Sequence, residues 1–279
     1  MTVVQHSTEP GSIPVLVITG HHSHRSDLLV EKLKEVSQFE ITMVEAKITP
    51  NYEICNRYNI LFNQKIAKIF LGRELFPGEI GCAFSHYSAR KIISESKFGG
   101  IILEDDARII RPEVFLKSAA EFLQTQCGKP SVLSFAGWNP RPFSVNEDFE
   151  IDKLVRNFKL LGVPPLALAY ALTPSAAKNL TLSSYPIKET ADWPSCKCSF
   201  FVTSKILAFH GDGGTTSIID YEGGSPRVRP KLRQRLEIIL FIDFLMRKSD
   251  LMHFRTYFTQ IWLRKLYFYI DGLRLLLRS

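Results

Sequence analysis

PVLVIT, Pro14 to Thr19, is an unbroken aliphatic run rich in β-branched residues. A strand with one wet face alternates apolar and polar positions, so a run that does not alternate belongs to a strand buried on both sides. Phe39 to Ala46, IILE (Ile101 to Glu104), SVLSFAG (Ser131 to Gly137) and ALAYALT (Ala167 to Thr173) also read as strands. Between them lie helical patterns: His21 to Gln38 as loop and helix, a stretch from Tyr52 to Ile69, and EIGCAFSHYSARKIISESK after the turn Phe76-Pro77-Gly78. The last has apolar residues at helical spacing, Ile80, Phe84, Tyr87 and Ile92. A further helix, Pro174 to Leu180, is opened by Thr173 and Pro174. Strands alternating with helices predict an α/β sandwich with a mainly parallel central sheet.

Charge divides the chain. Residues 1–226 hold 23 Lys and Arg against 24 Asp and Glu, whereas residues 227–279 hold 12 against 4, so the net charge of +7 comes from the tail. Two regions are therefore expected, a catalytic-size domain over 1–226 and a basic tail over 227–279. Five scattered cysteines, with Cys196 and Cys198 spaced C-x-C, fit neither a disulfide framework nor a zinc ribbon. The first residues lack the charged and apolar pattern of a secretory signal, and a reducing cytoplasmic setting is expected.

The acidic triplet Glu104-Asp105-Asp106 follows directly on the buried run IIL. Open α/β sheets bind ligands beyond the carboxyl ends of their strands. Clustered carboxylates there attract a hard divalent cation, Mn²⁺ or Mg²⁺, which commonly bridges to substrate phosphates. In extended backbone Glu104 and Asp106 share one side and Asp105 points elsewhere. The same residues also suit a solvated turn whose acids cap the next helix or pair with Arg108 and Arg111.

Together, PGEIGCAFSHYSARKII (Pro77 to Ile93) and IILEDDARI resemble the signature of glycosyltransferase family 25, the lipooligosaccharide (LOS) biosynthesis family related to the collagen galactosyltransferases. AYALTPSAAKNL (Ala169 to Leu180) and ADW (Ala191 to Trp193) match its further blocks. The resemblance implies a GT-A type nucleotide-sugar fold and a divalent metal at the Glu-Asp-Asp. It also implies transfer of a hexose, often galactose from UDP-galactose, to a glycan. ITGHHSHRSDLLVEKL, Ile18 to Leu33, departs from the family's strand, Asn-Leu and basic pair, with Arg25 left to contact nucleotide or phosphate. His21, His22 and His24 read as solvated loop residues rather than zinc ligands.

Within this frame Glu104 and Asp106 are candidate metal ligands and Asp105 a donor-site acid. His210, in AFHGDGG, is a candidate to complete the metal or diphosphate site. Glu79 and His86 lie two helical turns apart, hence on one face. They are candidates for the donor site, although Glu79 equally suits the first turn of a helix and His86 equally suits a role in tying that helix down. Asp192 is the candidate general base, since inversion needs a base within reach of the acceptor hydroxyl, and Trp193 beside it could offer an apolar face to a sugar. Asp192 also suits a turn beside a core tryptophan.

The glycine-rich stretch Gly211 to Arg227 is expected to be a mobile loop. Beyond it, Phe254, Phe258, Ile261, Trp262, Leu266, Tyr269 and Leu273 fall at helical spacing among Arg255, Arg264, Lys265, Arg274 and Arg278. These predict C-terminal amphipathic helices. Charges interrupt every apolar run before the roughly 18 to 20 residues that span a bilayer. An anionic membrane surface is the expected partner, each cation contributing about 1 kcal/mol. The alternative is an apolar face that closes on the catalytic domain or pairs two copies. Nucleic acid is disfavoured by the density of large aliphatics and the lack of a recognised motif. The expected protein is thus a peripheral enzyme on the cytoplasmic face of a bacterial inner membrane, acting on a UDP-sugar and a lipopolysaccharide (LPS) or LOS glycan. A metal-dependent phosphoesterase and a non-catalytic membrane-associated protein are the rivals.

Overall fold

The computed structural model describes residues 13–20, 24–35, 39–71, 73–136, 144–152, 155–160, 164, 166–194 and 196–210. The glycine-rich stretch and the basic tail lie outside the described residues, as do His21 and His22.

The chain opens β1 (Val15–Thr19), α1 (His24–Lys34), β2 (Ile41–Glu45), then α2 (Tyr52–Arg57), α3 (Gln64–Leu71) and α4 (Pro77–Ser94). Next come β3 (Gly100–Glu104), β4 (Ala107–Ile109), α5 (Pro112–Thr125), β5 (Ser131–Ser134), β6 (Ser144–Asp152) and β7 (Val155–Leu160). The described part ends with β8 (Ala169–Leu172), α6 (Pro174–Ser184), β9 (Ser199–Thr203) and β10 (Ala208–His210). The fold is α/β. Among the described residues no helix is long and apolar enough to cross a membrane.

Eight strands form one sheet in the order β2-β1-β3-β8-β5-β9-β7-β6, and β4 and β10 form a two-stranded ribbon. The apolar runs are buried on both faces. Val15 and Val17 of β1 join Leu29 and Leu33 of α1 and Phe115 and Phe122 of α5. Leu16 and Ile18 join Ala89 and Ile93 of α4 and Ala177 and Leu180 of α6 on the other side. The sheet is more mixed than the sequence suggests. β1 runs parallel to β2 and β3, and β5 to β9, but β8 runs antiparallel to both neighbours, β3 and β5. β7 is likewise antiparallel to β9 and β6. A strand buried on both faces reads as a continuous apolar run in either direction, so ALAYAL carries no signal of its sense.

The single helix expected over Tyr52 to Ile69 is two. Asn59 takes φ 53°, a left-handed conformation that Asn tolerates better than most residues and that ends a helix. The chain then makes a bridge from Phe62 to Ile187 before Asn63 restarts it, its Oδ1 accepting the Ile66 N–H at 3.0 Å. Cys55, Ile60, Ala67 and Leu75 from this region bury against Ile80 and Ala83 of α4 in a third cluster.

Candidate functional site

The acidic triplet sits where the chain leaves the main sheet. β3 ends at Glu104, Asp105 and Asp106 make the turn, and Ala107 starts the ribbon, where it lies opposite His210. Each acid is tied to a different element. Asp105 Oδ2 accepts the Thr19 hydroxyl at 3.2 Å at the end of β1. Asp106 Oδ2 accepts His210 Nδ1–H at 3.1 Å, a contact between residues 104 apart in sequence. Glu104 Oε1 meets His86 Nε2 of α4 at 3.0 Å. The fold thereby gathers three carboxylates, and the charge of Asp106 registers at the other two. Burial first, and Asp106 next, push Glu104 up to about 8, while His210 pulls the other way. Asp105 is raised by burial and by Asp106, with the Gly20 backbone, Thr19 and Arg25 opposing. Asp106 Oδ1 is buried with no hydrogen-bond partner among the described residues, a costly state that calls for a cation or donor.

His86 is buried, 1% exposed, and both ring nitrogens are engaged: Nδ1 lies 2.9 Å from the Tyr170 hydroxyl of β8. Burial, and then the Arg90 guanidinium, lower its pKa to about 3, so the imidazole is neutral at physiological pH. Arg90, one helical turn further along α4, is equally buried. It donates Nε–H to the Tyr170 oxygen at 3.1 Å and Nη2 to the Ala191 carbonyl at 2.8 Å. Its guanidinium lies over Tyr170 and Trp193, 5.6 and 5.7 Å from the ring centroids. Tyr170 and Arg90 are the parts of the site that hydrophobic periodicity misses. Of the stripe Ile80, Phe84, Tyr87, Ile92 only Ile80 is buried and Ile92 is exposed; the buried face of α4 also carries Ala83, His86, Ala89, Arg90 and Ile93. The i, i+4 pair of His86 and Arg90 on a helix facing a sheet is the available clue.

The other candidates separate. Arg25, in the first turn of α1, acts electrostatically on Asp105. Asp192 is exposed, its Oδ1 accepts the Ala167 N–H at 3.2 Å, and its charge reaches His86 and Cys82. Glu79 is committed elsewhere, to Arg73 at 2.5 and 2.7 Å and to the Phe76 N–H at 2.9 Å, the arrangement of an acid securing the start of α4. Trp193 offers no face to a sugar: it is 5% exposed and packs edge-on against Tyr170 and Phe200, because the apolar side of β8 needs cover. The thiols of Cys196 and Cys82 are both raised, Cys196 first by its hydrogen bond with Cys198 and Cys82 first by burial, which disfavours a nucleophilic role. Cys82, His86 and Glu104 do bring ligand atoms within 4.8 Å of one another.

Glu104 gives the site a pH signature. Its folded-state value of about 8 stands above the ordinary 4.5, so the folded state holds this proton more tightly than the unfolded chain. The stability it contributes is complete below about pH 4.5 and is lost as pH rises through about 8. In a chelating buffer the melting temperature of wild type is expected to fall from about pH 5 to 8 more steeply than that of Glu104→Gln. Parallel slopes for the two proteins would assign the titration to another group.

Two comparisons bear on this geometry. The model of glycosyltransferase family 25 (LPS biosynthesis protein) matches residues 21–193, more than half of the chain and the segment that carries α4, the triplet, Tyr170 and Asp192. No curated protein matches the chain. With its family's blocks folded around one acidic turn, the chain belongs to glycosyltransferase family 25.

Proposed function

We propose that this glycosyltransferase moves a hexose, expected to be galactose, from a UDP-sugar to an LPS or LOS glycan, using Mn²⁺ or Mg²⁺ in a GT-A type fold. The observation that carries the metal reading is Asp106. One of its oxygens is buried without a partner among the described residues while the other holds His210, a histidine delivered across 104 residues by a ribbon. Two carboxylates and an imidazole suit a hard or borderline divalent ion. Glu104, Asp106 and His210 would hold it, with the Nδ1–H of His210 on Asp106 making Nε2 the ring's lone-pair nitrogen. The cation would neutralise charge that develops on the departing diphosphate.

The chain's own groups supply the rest. Arg25 lies near enough to Asp105 to share in binding donor phosphate. Asp192 is the exposed carboxylate on the His86 side of the site and would take the proton of the acceptor hydroxyl. The basic tail, with its aromatic residues, would bring the enzyme to an anionic membrane surface that displays a lipid-linked acceptor.

Calorimetry with UDP, UDP-galactose, UDP-glucose and a GDP-sugar, in Mn²⁺ and in chelator, tests the reading. UDP compounds are expected to bind only with the metal, and the tighter of the two UDP-sugars names the donor. Metal-indifferent binding, or none, would remove the donor site. Hydrolysis of the nucleotide at full rate without any acceptor would favour a phosphoesterase instead.

A further inference from the structure

Arginine has donors and no acceptor, and this fixes the direction of the first hydrogen bond in a series that runs from Arg90 to Glu104. Arg90 Nε–H donates to the Tyr170 oxygen at 3.1 Å. The Tyr170 hydroxyl proton is then directed to His86 Nδ1, 2.9 Å away. A neutral imidazole that accepts at Nδ1 carries its hydrogen on Nε2, the nitrogen 3.0 Å from Glu104 Oε1. Glu104 Oε1 therefore accepts from a neutral donor, and Oε2 is the oxygen that His86 leaves unengaged. We infer that Arg90, Tyr170 and His86 form a one-way hydrogen-bond chain that holds Glu104 by Oε1 as a cation ligand, with Tyr170 as a positioning residue for transfer.

The physical case rests on placement. Arg90, Tyr170 and His86 are each 1% exposed or less, so water does not compete for these bonds. Tyr170 is locked by its edge contact with Trp193 at 5.0 Å, and Arg90 by the Ala191 carbonyl. A neutral donor suits a carboxylate that is to meet a cation, whereas an imidazolium would repel that cation. Partners of this kind behind a metal ligand are commonly worth ten- to a hundredfold in metal affinity. The tautomer also bears on Cys82, His86 and Glu104. A thiophilic ion there needs a lone pair on Nε2, where the chain places a hydrogen.

The inference rests on the metal reading of Glu104, and its test separates the two. In full-length ¹⁵N-labelled protein in chelator, above the pH at which Glu104 loses its proton, imidazole nitrogen spectra are expected to show His86 protonated on Nε2 and bare on Nδ1. Tyr170→Phe should mix the tautomers and weaken Mn²⁺ binding, followed by electron paramagnetic resonance, by about tenfold or more. His86→Gln, whose amide can accept from Tyr170 and donate to Glu104, should bind Mn²⁺ nearly as wild type does, and His86→Leu should not. The glutamine and leucine pair keeps the test intact if Tyr170→Phe does not fold. A hydrogen on Nδ1, Mn²⁺ bound equally by wild type and Tyr170→Phe, or Cd²⁺ bound through the Cys82 thiolate and lost in Cys82→Ser overturns the chain alone. Wild type that binds no Mn²⁺ overturns the donor-site reading itself.

Discussion

Asp106→Asn is expected to lower the transfer rate about a hundred- to a thousandfold, the range for loss of one preorganised electrostatic group, without lowering stability. Asn keeps the shape of the side chain and an oxygen for His210 Nδ1–H. It removes the neighbouring charge that raises Glu104 most, and the charge that raises Asp105. Without a cation the triplet is self-repulsive, so deleting one charge relieves it, and the buried position that lacks a partner among the described residues becomes a neutral amide NH2 in place of an anionic oxygen. A residue that served the fold through the His210 contact would behave in the opposite way, losing stability before activity. The measurement pairs initial rates at saturating UDP-sugar and Mn²⁺ with thermal melts in chelator. Activity within a few-fold of wild type, or a melting temperature several degrees lower, would make Asp106 a structural residue of the ribbon.

The parts of this protein legible in its sequence are those written as local pattern. Runs such as PVLVIT and IILE have a composition that only a doubly buried strand accepts, and Thr173-Pro174 marks the start of α6, the Thr173 hydroxyl accepting the Ala176 N–H. The break at Asn59 is a single-residue backbone event that helical periodicity averages over. β4 and β10 are three residues each, too short to show a period, yet their pairing sets His210 beside Asp106. The acids, Asp192 and His210 stand out chemically, whereas Arg90 and Tyr170 look like surface charge and core filling until the sheet is laid against α4. Direction fails for the same reason: β8 is apolar on both faces whichever way it runs.

Gly81→Ala is expected to reverse the usual sign of a helical glycine substitution and to destabilise the fold. In an ordinary helix interior the change stabilises by about 1 kcal/mol. Here, as at Gly99 and Gly100 in the approach to β3, there is no room: a Cβ would overlap the Lys47 carbonyl oxygen and the Thr49 hydroxyl. Neither group can step aside. The Lys47 N–H donates to Ser85 Oγ at 2.8 Å, Ser85 donates to the Gly81 carbonyl at 2.7 Å, and Thr49 donates to the Pro77 carbonyl at 2.5 Å. These bonds fasten the first turns of α4 to the segment after β2, and a methyl between them must lift the helix away. Overpacking of this kind costs about 1–3 kcal/mol and sometimes more. With backbone as the obstacle, about 3 kcal/mol is expected, a fall of roughly 6–12 °C in melting temperature for a domain of this size. Because α4 also carries His86 and Arg90, Mn²⁺ affinity should weaken in the same variant even where it remains folded. A melting temperature at or above that of wild type would mean that α4 does not rest on residues 47–49, and the geometry beneath Glu104 would have to be redrawn with it.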